Sequence, residues 1–187
     1  PAAGPDSRAL YRVKDGLAAT NGLHNFRIVM TAQDDAWLHT EINVMSNDRV
    51  GATVIYDEAE IFYEAGVRLK GSQHHRTPSN EVGFNVSFPA DRLFRGVHKT
   101  VAIDRSQGIG FGQREVLINQ AMNHSGAVVS KYSDLIRVIP LRAEHTSAAE
   151  LQLARYNDEY LDAQFEDGSS GNLYEYELIY YPQTTIG

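Results

Sequence analysis

Cysteine is absent from all 187 residues, which excludes disulfides, thiolate metal sites and cysteine nucleophiles together. No apolar run approaches the roughly 20 residues that a membrane-crossing helix needs, so the sequence predicts no transmembrane helix. Basic runs are missing as well. The 17 Lys and Arg are scattered among 24 Asp and Glu, giving a net charge of −7, and a nucleic-acid partner loses its usual electrostatic footprint. There is no Gly-Lys-Ser/Thr phosphate loop, no His-Glu-x-x-His and no Gly-x-Ser-x-Gly elbow. The adjacent pair His74 and His75 would point apart on a strand, so no zinc site is expected.

What is present is a globular composition: 42% hydrophobic residues, 10% aromatic with ten tyrosines, and 22% charged. That is enough to bury one core. The opening Pro1 to Pro5 is neither a signal peptide nor an initiator methionine. Residues 1–25 read as a leader or linker, 26–181 as one domain continuous with further protein, and 182–187 as a tail.

Phe26 to Met30 reads as a strand, and Thr31 as the cap of a short helix through Asp34, Asp35, Trp37 and Leu38. Ala52 to Tyr56 and Ile61 to Lys70 are β-branched and aromatic runs joined by the acidic turn Asp57–Glu58, which predicts an antiparallel hairpin. Val82, Phe84, Val86 and Phe88 share one face of a further strand. Lys99 to Asp104 follows as another. Val116, Leu117, Ala121 and Met122 recur at helical spacing, with Gly126 as the left-handed cap.

Leu135 to Ile139 and Glu150 to Ala154 read as strands, Asn157 to Phe165 as a short helix, and Tyr174 to Tyr181 as a final strand. The sum predicts an α+β fold: a mostly antiparallel sheet with one principal helix packed on it.

Several collinear segments carry a family resemblance. They are Ala65 to Ser72, Gly83 to Phe88, Arg92 to Val97, the strand at Val101 to Ile103, Arg114–Glu115 on the helix, Gly126, and Tyr156 to Leu161 leading to Gly171 to Tyr174. Together they resemble the spore-coat protein H (CotH) kinase-like family over about positions 26–176, in particular its N-terminal part.

The resemblance implies an atypical kinase-like lobe in an extracytoplasmic, secreted, cell-surface or spore-coat protein. It implies ATP and Mg²⁺ as cofactors, a protein hydroxyl as acceptor, and a surface or coat assembly as partner; the alternative is a structural or adhesive module without catalysis. Asn85 departs from the family, whose members commonly carry a lysine there. Ala143 to His145 and Ala148–Ala149 replace the family's later hairpin residues. The family's catalytic and metal-binding aspartates belong after the Gly171 to Tyr174 segment, and no residue of this chain takes those roles.

Phosphoryl transfer needs cations and backbone N–H groups around the phosphates. Lys70 at a strand end would reach a phosphate, with Glu115 on the helix to orient it and Arg68 on the same strand face. Gly108, Gly110 and Gly112, followed by Arg114 at a helix start, would cradle an anion. Ser72, His74 and Asp104 form no recognisable triad. Asp162, Glu166, Asp167, Ser169 and Asn172 offer oxygens but depart from the EF-hand order, so calcium is not expected.

Overall fold

Thr31 starts the first helix as its sequence predicts: its side chain accepts from the Asp34 amide, and α1 (Ala32–Leu38) follows. This is a computed structural model that describes residues 15–71, 76, 82–105, 113–126, 130–154, 161, 162, 164–172 and 174. Before α1 lies β1 (His24–Val29). After it come β2 (Val50–Tyr56), β3 (Glu60–Lys70), β4 (Gly83–Ser87) and β5 (Thr100–Asp104). Then follow α2 (Gln113–Ser125), β6 (Tyr132–Ile139) and β7 (Ser147–Ala154).

The expected α+β fold, a mostly antiparallel sheet with one principal helix packed on it in the manner of a kinase-like lobe, does not form. The strands instead close into a barrel in the order β1-β2-β3-β4-β5-β7-β6. Closure comes from the parallel pairing of β1 with β6, His24 opposite Ile136 through Arg27 opposite Ile139. All other pairings are antiparallel. The local pattern predicts each strand but cannot show that the first meets one more than a hundred residues away.

Alternation places one side of every strand inside. Phe26, Ile28, Val54, Phe62, Val67, Leu69, Phe84, Val86, Val101, Ile103, Ile136, Val138 and Leu151 fill the interior and are all essentially buried. The register shifts between Tyr132 and Ser133 where β6 meets β7, and the alternation also slips on β3, where Ala52 pairs with Ala65 but Val54 with Phe62. The extra residue is Glu64, at φ 56°, and this bulge lets both Phe62 and Ala65 face inward.

α2 packs outside the barrel against β6, and Gly126 ends it at φ 69°. Its apolar spacing misstates the packed face: Leu117 is 64% exposed and Asn119 is 7% exposed. Of the expected helix at 157–165, positions 161, 162 and 164 are helical, and residues 155–160 lie outside the described residues. The expected strand at 174–181 also lies outside them, apart from the exposed Tyr174. No helix among the described residues is long and apolar enough to cross a membrane.

Candidate functional site

Facing outward is not the same as being exposed on this barrel. Because Leu69, Phe84, Ile103 and Leu151 point inward, Arg68, Lys70, Asn85, Asp104, Glu150 and Gln152 point outward. Yet Asn85, Asp104 and Gln152 are buried, and Glu150 is 0% exposed. The register sets them in two lateral rows. Arg68 lies opposite Asn85, Asn85 opposite Ala102, Ala102 opposite Gln152, and Gln152 opposite Ser133. One step along, Lys70 lies opposite Gly83, and Asp104 opposite Glu150.

Gly83 explains how Lys70 crosses that second row. A Cβ at Gly83 would lie 2.5 Å from the Ile103 carbonyl oxygen and 3.4 Å from Lys70 Cβ. With only hydrogen there, Lys70 Nζ donates to Asp104 Oδ2. Gln152 Nε2 donates to the same oxygen at 3.4 Å.

α2 lies against the far side of this wall. Asn119 Nδ2 donates to Ser133 Oγ at 3.4 Å, and Ser130 Oγ donates to Asn119 Oδ1 at 2.7 Å. Glu115, in the helix's first turn, pairs with Lys131 Nζ at 2.6 Å. Between the two ion pairs sits Glu150. Neither of its carboxylate oxygens meets a donor in good geometry among the described residues. Burial pushes its pKa up and the Glu115 charge adds to this, while the Ser133 hydroxyl and the Lys131 ammonium pull it partway back. The chain Lys70–Asp104–Glu150–Glu115–Lys131 thus holds two ammonium and three carboxyl groups. Protonating Glu150 would balance them.

Lys70 therefore pairs with Asp104 rather than with Glu115, and Glu115 with Lys131, although both expected residues share one polar wall. Arg68 also lies on it, and its Nη1 donates to the Leu69 carbonyl at 3.4 Å. Arg114 is exposed on the first turn of α2. Gly108, Gly110 and Gly112 lie outside the described residues, as do Ser72, His74 and His75.

Glu150, Gln152 and Lys131 were not singled out from sequence. An alternating Glu-Leu-Gln reads as a solvated strand edge, and its local pattern carries no signal of the burial found here. No three His, Asp or Glu side chains among the described residues converge as metal ligands. A separate shallow groove, lined by Ala59, Glu60, Ile61, Tyr63 and Arg92, opens beside the β2–β3 turn at the opposite end of the barrel.

No protein-family model matches the chain, and no curated protein matches it.

Proposed function

We propose that this outer wall is the nucleotide side of a CotH-like, ATP-dependent phosphoryl transfer to protein hydroxyls, in an extracytoplasmic or surface protein. One observation supports it: the strand lysine Lys70 and the helix glutamate Glu115 stand on the same outer face, with the buried Glu150 between their ion pairs. Kinase-like sites orient a strand lysine with a helix glutamate; here each has another partner, so this reading asks Lys70 and Glu115 to exchange partners when nucleotide binds.

Lys70 and Arg68 fit the phosphate charge. Lys70 would exchange Asp104 for a phosphate oxygen, leaving Gln152 as the donor on Asp104. The described carboxylates do not converge as a metal cage, so no step is assigned to magnesium here. The transfer step belongs to residues other than those described.

A second reading, a structural or adhesive module without catalysis, is favoured by a different observation. Both lysines already have their own carboxylates, and the barrel interior is filled by side chains.

Thermal unfolding with ATP, with and without Mg²⁺, separates the two. Saturation at about 100 times Kd stabilises a protein by about 2.7 kcal/mol, so a rise in Tm of several degrees is expected, and Lys70→Ala should abolish it. A Tm that stays unchanged at millimolar ATP overturns the nucleotide reading and leaves the structural one.

A further inference from the structure

The barrel end reached by β1, β3, β5 and β6, where β2, β4 and β7 begin, is covered by the apolar Leu38 and Val44, which join the core, together with a set of buried polar groups. Arg76 reaches into it, donating to the Gly71, Val44 and Ser46 carbonyls at 2.6, 3.0 and 3.4 Å. Beside it, α1 meets the turn between β6 and β7. Asp35 accepts from Arg142 Nε at 2.7 Å. The His39 ring, at the end of α1, stacks on His145 with centroids 5.4 Å apart and planes 14° apart.

Both histidines are buried, at 6% and 3% exposure. His39 Nδ1 and His145 Nε2 have no hydrogen-bond partner among the described residues. Rings stacked nearly parallel cannot aim their in-plane lone pairs at one shared metal ion. What this arrangement cannot hold is charge, because two imidazolium ions would face one another in contact.

We propose that the stacked His39 and His145 are an acid-operated latch, holding α1 and the β6–β7 turn across the barrel mouth near neutral pH and releasing them on acidification.

The charged groups around the pair do not rescue it. From α1, Asp35 lies 3.7 Å from His39 Nε2 but is already engaged by Arg142. From the turn come Arg142, which opposes a second positive charge, and Glu144, which favours one but is exposed. From the end of β5, Arg105 donates to the His145 backbone carbonyl and adds to the opposition. Burial is the leading effect on both rings and lowers the His39 pKa from 6.5 to about 4.

The folded latch binds fewer protons than the opened one, so closure is complete above about pH 6.5 and weakens toward pH 4. The latch is independent of any nucleotide at the outer wall.

Amide hydrogen exchange on the full chain, corrected for intrinsic rates, reads the opening directly. Exchange at Asp35 to Val44 should rise roughly 40-fold between pH 6.5 and 4.5 from His39 alone, with the β2 and β3 amides changing far less. The double variant His39→Phe, His145→Phe keeps two stacked rings with no proton to bind, and should flatten that rise. The same acid response in the double variant overturns the latch. So does a His39 ring resonance in the unaltered chain that titrates near pH 6.5 while the α1 amides stay protected, a measurement that does not require the variant to fold.

Discussion

Two buried polar clusters sit on this one barrel and answer acid in opposite directions. At the mouth, His39 and His145 are neutral when buried, and acid forces charge into them. On the wall, Glu150 is charged only at a cost, and acid relieves it. Burial disfavours whichever form is charged, so one physical cause yields two signs.

For His39, with its folded pKa lowered to about 4, the stability it contributes is present above pH 6.5 and lost as the pH falls. For Glu150, with its folded pKa raised, the contribution is present below about 4.5 and lost as the pH rises through the folded value. The mouth is therefore tightest near neutrality, and the wall is most comfortable in mild acid.

The sharpest way to break this comparison is to remove a counter-charge from the wall. Asp104→Ala leaves the Lys70 ammonium, 21% exposed, without its carboxylate. Loss of one partner from a buried pair costs about 3 kcal/mol, measurable as a lowered urea midpoint at pH 7. Adding Lys70→Met should recover most of that loss. A cost under about 0.5 kcal/mol, the size of an exposed pair, would make the wall an ordinary solvated surface.

Next in size is Glu150→Gln. Replacing a buried, unpaired charge by a neutral group of the same shape should stabilise the barrel by about 1 kcal/mol at pH 8. At pH 4 the same change should do almost nothing, since Glu150 is protonated there. Urea midpoints across that range would show the two curves converging in acid. A variant less stable than the parent at pH 8 would mean that Glu150 is held as a carboxylate by a donor.

Much of the barrel was legible residue by residue, because short strands declare themselves through alternation and turn chemistry. Phe84, Val86 and the neighbouring Val82 and Phe88 read as one buried face, and they are. Thr31 read as a cap and accepts the Asp34 amide. Closure was not legible, since the β1–β6 pairing is parallel, non-local and carries no turn signal.

Nor was the site, for a related reason. Lys70 and Glu115 read as partners of each other, but their actual partners Asp104 and Lys131 follow from a glycine gap at Gly83 and from helix placement. The helix itself was read correctly and its face was not. The apolar spacing favours Leu117, whereas α2 buries Asn119, which bonds to Ser130 and Ser133. A polar wall selected a polar helix face, and hydrophobic periodicity cannot report that.

The smallest effect tests how the wall's charges share their cost. Glu115→Gln removes a pair with Lys131 whose side chains are each 23% exposed, which costs about 0.5 kcal/mol. The same change removes the charge that most raises the Glu150 pKa after burial, and leaves the Lys131 ammonium free to act on Glu150. The two consequences oppose each other, so stability at pH 7 should move by less than about 0.5 kcal/mol.

Proton linkage should nonetheless change clearly. The Glu150 pKa should fall, and the decline in stability on going from pH 5 to pH 8 should become shallower than in the parent. Carboxyl carbon resonances of Glu150 followed by NMR titration would read this directly. An unchanged Glu150 titration in Glu115→Gln would show that the helix carboxylate and the buried one do not interact across the wall. The chain of charges from Lys70 to Lys131 would then be two separate pairs.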